Sequence, residues 1–209
     1  MRAADMDKNI NSIIKYWFND EVDVVEGRDG FWFGGGRDID LQITHQFSAL
    51  VIEAKKQQLD EWLTTAKGSL AVILLLDQFT RNIYRNSAEA FSSDHLARAI
   101  CHQGLKQGFD QQLSNSERVF YYLPLEHSES LDDQVLSVQL YKQLASSVDA
   151  SYDGQYRKMF ASYVEFAILH YEIIANYHRF PHRNEVLGRE STAKELKYLS
   201  EGGHTFGQN

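Results

Sequence analysis

Apolar residues recur three and four positions apart along most of the chain, which is the spacing of an amphipathic α-helix. The pattern predicts helices at about residues 8–18, 38–58, 68–85, 88–107, 132–146 and 153–178. Ser114 with Glu117 and Thr192 with Glu195 form capping-box patterns, and each predicts the start of a further helix.

Strand signals are weak by comparison. "VDVVEG" at 22–27 is the nearest approach to a strand, and no Asn-Gly or Asp-Gly turn separates alternating apolar runs. The two prolines, Pro124 and Pro181, lie far apart and leave long stretches free for helix. We therefore predict one all-α domain over residues 1–209, with about eight or nine helices packed as antiparallel pairs. No clean fixed-period repeat is visible.

The central helix, "GSLAVILLLDQFTRNIYR" (68–85), has a polar stripe on an otherwise apolar element. At 100° per residue, one side carries Asp77, Gln78, Arg81 and Arg85, with Asn82 just beyond. The helix is apolar all round at its start, which favours burial and a stripe that faces a partly enclosed site. The alternative is a surface brace between Asp77 and Arg81, which are four residues apart.

The segment "VFYYLPLEHSE" places polar residues at the end of an apolar run. Pro124 cannot donate to the carbonyl of Phe120, so we expect a kink or break that aims the following residues towards a pocket. Those residues are Glu126, His127 and Glu129, which need arginine partners, water or a metal. Their spacings fit the ferritin-like Glu–His pattern poorly, so no metal site is predicted.

Histidines elsewhere give weaker signals. His170 lies on the apolar face of the helix at 153–178, where a histidine is more often a hydrogen-bonded core residue than a ligand. His178 and His182 are four residues apart, but Pro181 lies between them and disfavours the helix that a metal pair would need.

The loop "RFPHRNEVLGRES" at 179–191 is basic in a chain whose net charge is −8. Its polar residues are Arg179, His182, Arg183, Asn184 and Arg189, and a helix begins directly after it. Guanidinium groups suit carboxylate or phosphate, and a helix N-terminus adds backbone donors. We expect the three arginines to meet Asp77, Glu126 and Glu129 around one pocket that admits an anion. The alternative is that they only neutralise those acids across a helix interface.

Composition narrows the classes of partner. A net negative charge disfavours nucleic acid, and no apolar run is long enough to cross a membrane. The single cysteine, Cys101, fits a reducing cytoplasm, and the first residues lack the order of a signal peptide. No P-loop, Gly-x-Gly-x-x-Gly, Gly-x-Ser-x-Gly or paired-cysteine motif occurs, so no cofactor is predicted.

Several strings together resemble one known family. "WFGGGRDID", "LAVILLLDQFTRNIYR", "ERVFYYLPLEHSE", "RFPHRNEVLGRESTAKE" and "GGHTFGQ" are similar to the bacterial domain-of-unknown-function family 924, from about Tyr16 to the C-terminus. The resemblance implies an all-helical, tetratricopeptide-repeat-like fold and no established activity. This chain departs from the family at Thr80, where proline is usual, and at His178, where glycine is usual. The family's motif positions fall on Asp77, Gln78, Arg81, Asn82, Arg85, Glu126, His127, Glu129, His170, Arg179, Pro181, His182, Arg183, Asn184, Gly188 and Arg189.

Three functions remain open at this point. The first is a binding module that holds a small anionic ligand or an acidic peptide terminus at the arginine-rich pocket. The second is an uncharacterised enzyme, such as a hydrolase, that uses His127 or His182 as acid or base. The third is a buried polar network that fixes helix packing. The oligomeric state is left open.

Overall fold

Helices account for most of the residues that the computed structural model describes, which are 3–19, 28–148 and 154–206. The α-helices are α1 (Ala3–Phe18), α2 (Asp29–Trp32), α3 (Arg37–Lys55), α4 (Ala66–Ile73), α5 (Thr80–Ile83), α6 (Asp94–Lys106), α7 (Asn115–Glu126), α8 (Leu131–Ser147), α9 (Gly154–Tyr177) and α10 (Ala193–Ser200). No residue in the described ranges belongs to a strand, and the all-α fold class is confirmed. The possible strand at 22–27 lies outside them.

The predicted central helix forms, but with a π-helical stretch, Leu74–Phe79, between α4 and α5. Every residue from 68 to 81 is buried, because the helix is packed on all sides. A π turn contains more residues than an α turn, so it rotates later side chains relative to earlier ones. At Thr80 the side-chain hydroxyl donates to the carbonyl oxygen of Leu76 over 2.8 Å and satisfies it inside the core.

The central helix packs against α3 and α6, and α8 packs against α7 and α9. Aromatic rings join these layers: the Trp17 ring lies 5.4 Å from that of Phe79 and 5.5 Å from that of Phe120. Within the described ranges, no helix is long and apolar enough to cross a membrane.

Helix ends follow the sequence closely in two places. Ser114 and Glu117 form a capping box at the start of α7, and Thr192 and Glu195 form another at the start of α10. Pro124 does not break α7, which continues through it and ends at Glu126. The break predicted at Pro124 is therefore absent, and the helix ends two residues later, before His127 and Glu129.

The C-terminal part is held to α9 by a small second core of Ile173, Ile174 and Phe180, with Tyr198 and Phe206 packed against it. His178 directly follows α9 and has a φ of 60°. Glycine adopts this left-handed backbone at no steric cost, whereas histidine is strained there. After this turn, Arg183 reaches the carbonyl oxygen of His127 and the carboxylate of Asp94 at the start of α6.

Candidate functional site

A cavity of about 520 Å³ lies between α2, the central helix, α7, α9 and the C-terminal segment. Its apolar and aromatic wall consists of Trp32, Phe33, Phe91, Val119, Leu123, Tyr141, Tyr163, Phe166 and Phe206. Its polar side chains are Gln78, Arg81, Asn82, Arg85, Glu126, His127, Ser162, His170, His182 and Arg183. Phe33 and Phe166 are about half exposed, so they border the opening to solvent. The cavity lining therefore combines aromatic rings with basic side chains, and Arg183 lies against the ring of Phe91.

Asp77 lies behind the polar wall, fully buried, and fixes the side chain of His127. Its Oδ1 is 2.8 Å from Nδ1 of His127, its Oδ2 accepts from Gln78, and Arg81 approaches to 3.4 Å. Burial opposes ionisation, but these three contacts outweigh it and hold the pKa of Asp77 below its ordinary value. The pair with Arg81 predicted from the sequence is thus present, but in the core and not as a surface brace.

His127 is held as a neutral imidazole. Burial lowers its pKa, and the nearby charge of Arg81 lowers the pKa further, against the opposing effect of Asp77. An ionised carboxylate can only accept, so the single ring proton lies on Nδ1, and Nε2 receives no hydrogen bond from the residues that the structure describes.

Glu126 lies beside His127 on the cavity wall and is only 5% exposed. Burial, together with the negative charge of Asp77, raises the pKa of Glu126 to about 8. Its Oε1 is 3.2 Å from Nδ1 of His170, which also contacts the carbonyl oxygen of Phe166 at 2.8 Å. Burial therefore favours the protonated form of Glu126.

Arg183 is a buried cation with an incomplete set of partners. Its guanidinium lies 4.2 Å from the ring centre of Phe180 and 4.8 Å from that of Phe91. Its Nη1 donates to the His127 carbonyl oxygen at 3.1 Å and to Asp94 at 3.4 Å. Its Nε has no hydrogen-bond partner among the described residues. Burial lowers the pKa of Arg183 to about 10, so it remains charged.

Asp94 is shared between two arginines. Arg81 binds it with two short hydrogen bonds of 2.9 and 3.0 Å, whereas the contact from Arg183 is longer. Arg81 therefore has most of the counter-charge, and Arg183 has little of its own.

His182 adds a third neutral imidazole to the wall, after His127 and His170. Burial and the charge of Arg183 lower the pKa of His182 to about 3, and burial lowers the pKa of His170 well below its ordinary value. The Nδ1 of His182 is buried without a hydrogen-bond partner in the described part of the chain. The charged groups that face the cavity are therefore guanidinium groups.

Arg189 and Glu129 meet as predicted, but they lie outside the cavity lining. Both oxygens of Glu129 accept from Arg189, at 2.7 and 3.0 Å, and the Phe180 backbone N–H adds a further bond. Burial alone would raise the pKa of Glu129, but these bonds lower it. Asn184 accepts from Nε of Arg189 and lies in the same cluster. The cluster fixes the loop that carries His182 and Arg183.

Two of the predicted arginine contacts are wrong. Arg179 forms two hydrogen bonds with Glu195 of the α10 capping box, at 2.6 and 2.8 Å, and does not line the cavity. Arg183 pairs with Asp94 and not with Asp77 or Glu126. The loop therefore bends so that only one of its three arginines reaches the cavity.

Asp40 and Asp94 bind arginines of the cavity lining but were not predicted as site residues, although Asp40 lies within the string "WFGGGRDID". Asp40, on α3, binds Arg85 through both carboxylate oxygens at 2.8 Å and also accepts from Asn82. Asp94 begins α6, and neither acid is close in sequence to its partners' motif strings. Among the residues that the structure describes, no group of three or more His, Cys, Asp or Glu is arranged to hold a metal ion.

Comparison with known proteins identifies the family. A solved structure of a protein of unknown function from Agrobacterium tumefaciens has a TM-score of 0.79 with this chain at 33% identity, covering 94% of this chain and 99% of that one. No curated protein matches. A family model described as bacterial protein of unknown function, DUF924, matches residues 13–203. Since that match covers most of the sequence, the chain belongs to the DUF924 family of bacterial proteins of unknown function.

Proposed function

We propose that this protein binds a small organic anion in the central cavity. The observation that carries the proposal is Arg183, a charged side chain that is only 6% exposed, lines the cavity and shares its nearest acid with Arg81. A buried charge is costly unless it is paired, and a carboxylate or phosphate on the ligand would complete the pairing.

The shape of the cavity supports an anion with an apolar body. Aromatic side chains from distant segments, including Trp32, Phe166 and Phe206, form the wall around the basic groups. Small-molecule sites commonly combine a mainly apolar lining with a few placed polar groups. A ring or short aliphatic chain would contact the aromatic wall while its anionic group contacts Arg183.

Thermal melts test the proposal with phenylphosphonate, citrate and N-acetyl-phenylalanine, the last standing in for a peptide terminus. We expect millimolar phenylphosphonate to raise the wild-type melting temperature, because a ligand that binds only the folded state stabilises it. Arg183→Met keeps an unbranched apolar side chain and removes the guanidinium group with its charge, so the rise should vanish. Arg37→Met changes an exposed arginine that does not line the cavity and should retain the rise.

The stability of the variants separates binding from a purely structural network. An incompletely paired buried cation contributes little net stability, so we expect Arg183→Met to unfold within about 1 kcal/mol of wild type. If it instead loses about 3–5 kcal/mol and ligands shift neither protein, the polar groups form a structural network and the binding proposal fails. A larger response to N-acetyl-phenylalanine than to phenylphosphonate would assign the cavity to peptide termini.

Four further predictions from the sequence remain predictions. They are the tetratricopeptide-repeat-like arrangement, a single domain over 1–209, a cytoplasmic location, and the expectation that neither nucleic acid nor a membrane is a partner.

A further inference from the structure

Two neighbouring residues on the cavity wall are suited to opposite proton transfers, since His127 can accept a proton and Glu126 can donate one. Asp77 accepts from Nδ1 of His127 at 2.8 Å, so Nε2 is the unprotonated ring nitrogen, and no donor to it is present among the described residues. Glu126, the preceding residue, lines the same cavity, is 5% exposed and lies with Oε1 3.2 Å from Nδ1 of His170, and its burial favours the protonated form. Paired groups whose environments separate their proton affinities in this way are the usual arrangement of a catalytic base and acid.

Other groups around the pair keep those roles stable. Arg81 and Arg183 add positive charge near His127, while the neutral rings of His170 and His182 lie on the same wall. Glu126 faces Asp77, His170 and Tyr141. The cations therefore disfavour protonation of the base, and the buried carboxylate disfavours ionisation of the acid.

We propose that the cavity hydrolyses small phosphomonoesters, with His127 as general base towards water and Glu126 as general acid towards the leaving oxygen. This inference rests on the proposed function, because Arg183 must first hold the phosphoryl group. Guanidinium groups match phosphate oxygens and stabilise the charge that spreads over them during transfer.

The reaction balances without a further reactant. Nε2 of His127 takes a proton from water while the water oxygen bonds to phosphorus. The bond from phosphorus to the ester oxygen breaks, and that oxygen takes the proton of Glu126. The products are an alcohol and inorganic phosphate, and the proton on His127 then returns through solvent to the Glu126 carboxylate. Ser162, a hydroxyl on the wall, donates to the Met159 carbonyl and not to a histidine, so no base activates it and the proposed nucleophile is water.

Asp77 is a positioning residue in this scheme. It touches neither water nor substrate, since it is fully buried behind His127. Asp77→Asn can offer its amide N–H to Nδ1 and shift the ring proton to Nε2. We expect kcat to fall while phenylphosphonate binding and KM stay close to wild type, a separation that simple loss of structure would not give.

Release of phenol and 4-nitrophenol from their phosphate esters tests the inference. We expect His127→Gln to lower kcat by about 100-fold or more with both esters. Glu126→Gln should lower it about 100-fold with phenyl phosphate and much less with 4-nitrophenyl phosphate, whose leaving oxygen needs little protonation. His45→Gln and Glu61→Gln change exposed residues and serve as matched controls with wild-type rates.

The pH profile gives a second readout. Wild-type kcat/KM should fall as the pH rises past about 8, where Glu126 loses its proton, and again at acidic pH, where His127 gains one. Phenylphosphonate binding without turnover of either ester would overturn the hydrolysis and leave the binding function intact. If the protein neither bound phenylphosphonate nor hydrolysed an ester, the binding proposal and the hydrolysis proposal would both fail. Full activity in His127→Gln would exclude His127 as the general base.

Discussion

At the scale of single residues, Glu126 is the group whose burial most affects how stability depends on pH. Its pKa rises from 4.5 to about 8 on folding, so its contribution is present below the unfolded pKa and is lost as the pH rises towards the folded one. The Glu126→Gln side chain cannot ionise. As the pH rises from about 5 to about 8, the free energy of unfolding of this variant should therefore increase by roughly 3 kcal/mol relative to that of wild type. Urea unfolding at both pH values measures this, and parallel curves for the two proteins would contradict it.

The same scale shows which parts of the site the sequence could predict. Polar residues in apolar segments, such as Asp77 and His127, stand out because their burial needs a reason. The acids that pair with the arginines do not stand out in this way, because they lie on ordinary amphipathic or capping positions. They are Asp94 for Arg81, Asp40 for Arg85 and Glu195 for Arg179. Pairing depends on how helices meet, and that information is not local in the sequence.

At the scale of helices, the end of α9 offers a clear test of backbone strain. His178 is exposed and has a φ of 60°, so His178→Gly should raise the free energy of unfolding by about 0.5–1 kcal/mol. Ala175→Gly, three residues earlier and inside the helix, is the matched control and should lower it by about 1 kcal/mol. If both glycine substitutions changed the free energy of unfolding in the same direction, the backbone angle φ at residue 178 would not limit stability.

Helix positions followed from apolar periodicity and capping boxes, but two irregularities did not. The π-helical stretch Leu74–Phe79 follows a run that is apolar on all sides. Such a run has no alternation of apolar and polar residues from which the number of residues per turn could be predicted. Pro124 lies inside α7, which continues to Glu126, whereas its sequence position predicted a break or kink at the proline. Tertiary packing decides both features, so local sequence rules miss them.

At the scale of the whole molecule, the cavity exists because segments far apart in sequence close around it. Phe33 follows α2, Phe166 lies on α9, and Phe206 stacks on the ring of His170 at 3.9 Å. Each aromatic residue alone fits an ordinary core or surface position. The sequence predicted a basic site but not the aromatic residues of the cavity lining, which favour an anion with an apolar body.

The ring of uncharged acid and base groups around the cavity couples ligand binding to protons from solvent. A bound anion favours the protonated form of every such group, so its arrival should draw protons into the protein. At about pH 8, where Glu126 is half ionised, uptake should be largest, and it should shrink in Glu126→Gln. Calorimetric titration with benzenesulfonate, whose own charge is constant, in two buffers of different ionisation heat measures this uptake. Identical heats in both buffers would mean that the cavity binds anions without exchanging protons.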